Sequence, residues 1–295
     1  MMQMQINNPI VVATLFFFLF GCNSKQITEQ PDSVSPYFNQ EWAKNTIWDD
    51  GQAEVAKYKA TRMVYGKLRS YEYTYILVKE VFNKEFGVKT DDYSRADLFP
   101  VMKVNKFCSF ETKAYPYHYL TSIFFERDKV DKAYKLTNTS QEWCGNTAKS
   151  FTRKDRHYLF EFMSYWDGQG NGSMKIDHTA MFEDQLSYSL RSLKFEDGLS
   201  FEALIYPSQI NSRATKPVVI NSKFTVTLVS GHSVLSKNDS DTKKAWKVHV
   251  ENEGESSSDY WFDRTYPNAM LKMESNDGRS LVLDSLYRDA YWAHE

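Results

Sequence analysis

The stretch 70-SYEYTYILVKEV-81 places Tyr71, Tyr73, Tyr75 and Leu77 on one side of an extended chain, and Glu72, Thr74, Ile76, Val78 and Glu80 on the other. Successive side chains of a strand point to opposite faces, so the pattern reads as a strand with two distinct surfaces. β-Branched and aromatic residues fill it, as a half-buried pleated surface requires. The alternation recurs in 223-KFTVTLV-229, where Phe224, Val226 and Leu228 oppose Thr225 and Thr227. It recurs again in 245-AWKVHV-250, where Trp246, Val248 and Val250 oppose Lys247 and His249.

Turn signals separate these runs: Tyr65-Gly66-Lys67, Asp167-Gly168, Asp197-Gly198 and Asn276-Asp277-Gly278. Residues 51–64 and 67–82 therefore read as a first hairpin, 158–166 and 173–182 as a second, and 269–288 as a last one. One segment breaks the pattern. In 181-MFEDQLSYSLRSLKF-195, Phe182, Leu186, Leu190 and Leu193 recur at helical spacing, with acids early and Arg191 and Lys194 late. That order suits the helix dipole, and a short helix is expected from about 181 to 193; a second short helix is expected near Trp42. The expected fold class is mainly β: one domain over residues 45–295, built as a single large curled antiparallel sheet, half-barrel-like, that folds over to hide its apolar face.

Ahead of that domain, Ile10 to Phe20 form an apolar run of signal-peptide length, too short to cross a bilayer as a mature helix. It ends in Leu19-Phe20-Gly21-Cys22, which resembles the lipobox of bacterial lipoproteins. The resemblance implies a signal peptide over residues 1–21 and lipidation at Cys22, palmitate included. Several acyl chains on one residue give lasting membrane attachment, since each buried methylene contributes about 0.8 kcal/mol. An ordinary secretory signal or an N-terminal anchor helix is the alternative, because the segment before the run has no Lys or Arg and Phe20 is large for its place. Residues 22–44 are polar and read as a flexible tether. Asn23 follows the cysteine, and by resemblance to the lipoprotein sorting rule this points to the outer membrane; no acidic run follows to act as a surface-export tag, which points to its periplasmic face, with the inner membrane and the cell surface as alternatives.

Charge excludes one function class. A net charge of −2 from 36 basic and 38 acidic residues offers no basic stripe for nucleic acid. Aromatic residues make up 16% of the chain, with 19 Tyr and 20 Phe, so a large packed core is affordable without low-complexity sequence. Beyond Cys22 two cysteines remain, Cys108 and Cys144. An oxidising compartment permits a disulfide between them; two unpaired thiols are the alternative.

The chemical motifs are weak. Cys144 sits between Trp143 and Gly145, but sequence places no histidine beside it to act as a base. The stretch 167-DGQGNGS-173 has some calcium-loop spacing, yet position twelve is His178 where a bidentate Glu belongs, so a glycine-rich hairpin turn is expected. Asp177-His178 lacks a further ligand at metal spacing. The stretch 230-SGHS-233 holds Ser and His side by side, whereas catalytic triads converge from separate segments. No metal or cofactor site is expected. The densest aromatic stretch is 114-AYPYHYLTSIFF-125, in which Tyr115, Tyr117 and Tyr119 share a strand face. They are the candidate ligand-facing aromatics, with core packing as the alternative.

Trp48, Gly51, Ala53-Glu54, Tyr65-Gly66, Lys103-Val104-Asn105, Tyr115-Pro116-Tyr117, Ser122 and Gln141-Glu142-Trp143-Cys144-Gly145 resemble a family of uncharacterised bacterial lipoproteins that carry the label "septum formation inhibitor Maf". The likeness spans most of residues 40–200. Genuine Maf proteins are cytoplasmic nucleotide pyrophosphatases with an α/β fold, so the label implies no activity for this strand-rich chain. More loosely, residues 259–283, with Trp261, Phe262, Asp263, Pro267, Leu271 and Gly278, are similar to the end of a periplasmic β-sheet domain of unknown function that shares the curled architecture of the Lol lipoprotein carriers. These are packing and turn positions, so they bear on fold and not on chemistry.

The expected function is non-catalytic binding of a hydrophobic ligand or an envelope partner (lipid, glycan or protein) by a membrane-tethered protein. The alternatives are an envelope hydrolase with a site of scattered Asp, Glu and His, and a purely structural partner-binding lipoprotein. The interior of the sheet discriminates among them: an apolar cavity, a cleft of clustered carboxylates or histidines, or a filled core.

Overall fold

Tyr65 and Gly66 turn the chain back on itself because both hold positive φ, 52° and 68°. Two consecutive residues in that region make the tight turn whose twist matches antiparallel strands, and glycine adopts it without a Cβ penalty. It joins β1 (Ala53–Val64) to β2 (Lys67–Asn83), the expected first hairpin. A short β3 (Val88–Lys89) folds back on the end of β2. From there β4 (Leu98–Glu111), β5 (Pro116–Glu126), β6 (Ala133–Glu142), β7 (Gly145–Lys154), β8 (His157–Ser164) and β9 (Asn171–Ile176) meander antiparallel. The structure, a computed structural model, describes residues 34–230 and 244–294. The apolar run, Cys22 and the first part of the expected tether lie outside the described residues, as does His232 of the Ser-Gly-His-Ser stretch.

The second half mirrors the first. After β10 (Met181–Phe182) come β11 (Ser200–Tyr206), β12 (Ile220–Ser230), β13 (Lys244–Asn252), β14 (Ser257–Asp263), β15 (Met270–Ser275) and β16 (Ser280–Asp289). β16 pairs antiparallel with β1, which joins the two halves into one sixteen-stranded sheet running from β10 at one edge to β9 at the other. Those edges are consecutive in sequence, so the sheet curls until they approach each other across residues 177–180. Tyr206 on β11 donates to the Asp177 carbonyl at 2.9 Å, and Phe182 lies 5.2 Å from the ring of Tyr158 on β8.

The expectation of a mainly β, curled single sheet therefore holds, with two differences. The expected second strand of the second hairpin, 173–182, ends at Ile176, and Met181–Phe182 joins the opposite edge of the sheet. β10 and β11 run parallel, because residues 183–199 between them are long enough for a crossover. The helical segment within that crossover covers 183–192: a four-residue α-helix, α1 (Leu186–Ser189), between two 3-10 turns. Residues near Trp42 form another 3-10 turn, Trp42–Lys44.

The expected tether of residues 22–44 needs correcting at its far end. Phe38, Trp42 and Ala43 are buried, and Phe38 bridges to Leu193. Trp42 packs edge-on to Tyr188 of α1 and lies 5.3 Å from Trp48. Three short 3-10 turns have no apolar periodicity, so the polar residues between these aromatics hide the packing from a pattern-based reading.

Candidate functional site

Period-2 alternation on β2 sends Tyr71, Tyr73 and Tyr75 to the concave face of the curl. There they line a partly open cavity of about 480 Å³. Met270 and Met273 on β15, Tyr260 on β14 and Leu281 on β16 form the opposite wall. Glu183, Asp184 and Ser187 of the helical segment, with Ser208, Ile210 and Asn211 that follow β11, form the floor. Thr61, Arg62 and Met63 at the end of β1 line the mouth, where Met63 is half exposed. This volume falls within the range of small-molecule sites, which runs from about 300 to 1,000 Å³.

Most of the charged lining is already paired. Arg279 binds Glu183 Oε1 at 2.6 Å and Asp277 Oδ2 at 2.6 Å. Asp184 accepts from Ser208 Oγ at 2.6 Å and from the Gln209 amide at 2.7 Å. Lys106 on β4 differs. It is buried at 3% exposure, directly opposite Tyr75 in register, with its ammonium 4.6 Å from the centre of that ring. Its hydrogen-bond acceptor is the Asp184 carbonyl. Burial pushes its pKa down to about 8, and the nearby Asp184 and Glu183 carboxylates oppose that fall. The hydroxyls of Tyr73 and Ser187 are buried with no hydrogen-bond partner among the described residues.

Lys106 belongs to a row. Strand register aligns Tyr75, Lys106, Thr121, Asn138 and Lys149 across β2 and β4 to β7, and the last four are buried. A polar stripe inside a sheet needs partners there. The crossover and the following loop supply them for the two lysines. Lys149 donates to the carbonyls of Gln209, Asn211 and Arg213 at 2.5, 3.2 and 2.9 Å. Asn138 Nδ2 donates to Thr121 Oγ1 at 2.8 Å. Thus the inward lysines hold irregular backbone that has no ladder of its own. Sequence reasoning missed Lys106 and Lys149, though a signal exists: each falls on the inward register of its strand, beside an apolar residue two positions on (Lys106-x-Cys108 and Lys149-x-Phe151).

The expected ligand-facing aromatics lie elsewhere. Tyr117 and Tyr119 are buried in packing: Tyr117 stacks on Phe110 at 5.3 Å, and Tyr119 lies 5.4 Å beneath the Arg62 guanidinium. Tyr115 lies on a shallow rim groove with Tyr65, Lys67, Arg69 and Lys113. They are nonetheless connected to the cavity. Rings follow one another from Tyr75 through Tyr73, Tyr71, Phe110, Tyr117 and Tyr115 to the exposed Trp143, with centroids between 4.9 and 6.1 Å apart.

Cys108 and Cys144 are both free thiols, one buried and one exposed. Register explains why the pairing is not made. Cys108 lies opposite Tyr119, Tyr119 lies opposite Ser140, and Cys144 is in the turn beyond β6. Two inter-strand steps and four residues of chain separate the pair by roughly 15 Å, where a disulfide needs Cα atoms within about 7 Å. Burial pushes the Cys108 thiol up to about 12, so it stays protonated. Cys144 Sγ donates to Tyr115 Oη at 3.1 Å, with no histidine beside it among the described residues. Asp167 and Gly168 occupy the expected hairpin turn between β8 and β9. Among the described residues no group of three His, Cys, Asp or Glu could hold a metal ion.

The buried phenols set an alkaline limit. Desolvation pushes Tyr58, Tyr73, Tyr75 and Tyr260 far above the ordinary phenol range. A group whose folded pKa is raised contributes stability that is complete below its unfolded value, about 10, and lost as pH climbs through and past it. Tyrosinate absorbance should therefore rise together with loss of the far-ultraviolet β signal above about pH 10. Full phenol titration with the sheet intact would contradict this burial.

No protein-family model matches the chain, and no curated protein matches it. Two solved structures are similar. One is a β-barrel-like protein of the domain of unknown function DUF1849 from Brucella abortus, at 10% identity and a TM-score of 0.46, covering 80% of this chain and 97% of that one. The other is a DUF1089 family protein from Pseudomonas aeruginosa, at 12% identity and a TM-score of 0.36, covering 66% of this chain and 87% of that one.

Proposed function

We propose that this protein binds a hydrophobic or amphiphilic small molecule in the concave cavity, without catalysis, while tethered to the outer membrane through a lipid at Cys22. The observation that carries the reading is the 480 Å³ cavity between Tyr71, Tyr73 and Tyr75 on one side and Tyr260, Met270, Met273 and Leu281 on the other. Aromatic and thioether side chains offer contact area that adapts to a flexible apolar guest. The ring sequence from Tyr75 to Trp143 supplies a path of similar chemistry to the rim. The carboxylates that line the cavity are engaged by Arg279, Ser208 and the Gln209 amide, which favours a holding role for them over proton transfer. A tethered receiver works at high local concentration, so modest affinity suffices.

Native mass spectrometry of protein purified from its own envelope without detergent should show an adduct of lipid mass. Refolded protein freed of it should take up the uncharged dye N-phenyl-1-naphthylamine. Absence of both would end the binding proposal. The tether is tested separately: palmitate labelling of cells should be lost on Cys22→Ala, and label that survives the substitution would refute lipidation at that residue.

A further inference from the structure

The inner end of the cavity is rich in hydrogen-bond donors that lack acceptors. Lys106 has three ammonium protons and one described acceptor, the Asp184 carbonyl. The Tyr73 hydroxyl, on a residue 5% exposed, and the Ser187 hydroxyl, on a residue 8% exposed, have no partner among the described residues. All three residues line the same cavity. Tyr73 lies two residues from Tyr75 on the strand face that Lys106 shares, so Tyr73 and Lys106 occupy diagonal register positions across one strand pair. An unmet buried donor costs stability unless an acceptor arrives. The acceptors already present are used: Asp184 by Ser208 and Gln209, Glu183 by Arg279 and the Ser208 amide, Asp277 by Arg279.

Building on the binding reading above, we propose that this inner end is an oxyanion site, and that the guest is a long-chain monocarboxylate held head inward against Lys106, Tyr73 and Ser187. Its chain runs along Tyr71, Met273 and Leu281 toward the mouth at Met63. A carboxylate accepts from several donors at once and gains the strength of charge-assisted bonds. A dianionic phosphate fits less well: the lining already balances Arg62, Lys106 and Arg279 against Glu183, Asp184 and Asp277, so its second negative charge adds repulsion from the carboxylates that a monocarboxylate avoids. An alkylammonium brings further donors and no acceptor to groups that are themselves donors.

Charge on Lys106 controls the site. The groups facing it are Tyr73 and Tyr75 on β2 and Glu183 and Asp184 on the helical segment, with Arg62 and Arg279 across the cavity. Its ammonium is present below about pH 8 and lost above, so carboxylate binding should weaken as pH rises through that value.

The test is displacement of N-phenyl-1-naphthylamine by laurate, methyl laurate and dodecylamine, which share one chain length. At pH 7 laurate should compete at concentrations about tenfold lower than its methyl ester, and dodecylamine least well. Lys106→Met should abolish the advantage of the acid over the ester. Tyr73→Phe should reduce it, and so should raising the pH of the wild-type protein to 9.5, two readouts that stand even if Lys106→Met does not fold. Equal competition by acid and ester, or an advantage that survives Tyr73→Phe and pH 9.5 undiminished, overturns the oxyanion site and leaves the apolar cavity intact. Failure of the dye and all three competitors to bind overturns the cavity reading along with it.

Discussion

Arg191→Ala should lower folding stability by about 3–5 kcal/mol, among the largest single-residue effects in the molecule. Arg191 at the end of the helical segment grips Glu54 at the start of β1 with two parallel bonds, 2.6 and 2.9 Å, and both side chains are under 10% exposed. Its Nε donates to the Pro267 carbonyl at 2.9 Å. Its guanidinium lies 5.2 Å from Trp42 and 5.9 Å from Trp48. Removing the arginine leaves the Glu54 carboxylate in a dry site without its cation and opens a space between two indoles. Desolvation of an unpaired charge dominates that cost, since surface pairs of the same geometry contribute at most about 1 kcal/mol. Thermal unfolding should fall by roughly 6–20 °C for a domain of this size. The pair Glu54→Leu with Arg191→Met should recover most of the loss, because well-packed apolar residues often replace a buried ion pair at little cost. A single-variant loss below about 1 kcal/mol would mean that water reaches the pair.

Met273→Trp should abolish uptake of an apolar dye, with a loss of affinity of at least about tenfold, while changing thermal stability little. Met273 lies mid-strand on β15, nearly buried, with its side chain on the cavity wall between Tyr260 and Leu281. The larger indole has open volume to enter, so the strain that overpacking brings to a filled core is mostly absent. Leu281→Ala, which also touches the cavity, should act in the opposite sense: it enlarges the guest space and costs about 2–5 kcal/mol, because the core contacts of Leu281 are lost. Unchanged dye binding by Met273→Trp would move the site to the rim groove beside Tyr115, and Tyr115→Ala would then be the variant that loses the dye.

The candidate site was half legible. Tyr71, Tyr73 and Tyr75 announce themselves as one strand face, because spacing by two is local geometry that no tertiary contact alters. What the spacing does not carry is the curvature that turns this face into the wall of a cavity. The density of Tyr115, Tyr117 and Tyr119 drew attention to a strand whose aromatics prove to be mostly packing, continuous with the cavity but not lining it. Composition counts rings; it does not say which ring has another ring above it.

By itself, the sequence determined the strands, the tight turns between them and the short helical interruption near residue 186, since each follows from periodicity or from backbone conformations that few residues permit. Tertiary structure decided what is inside. Pairing of β16 with β1 brings residues more than 200 positions apart into one wall, a contact with no local signature. Closure of the curl also buries Lys106, Thr121, Asn138 and Lys149, which composition alone assigns to solvent. The lysines are tolerated there because the crossover and the loop after β11 push unpaired backbone carbonyls into the concavity, while Asn138 and Thr121 bond each other. An ammonium that satisfies three carbonyls is cheaper to bury than the carbonyls are without it. That exchange exists only once the chain has folded over itself.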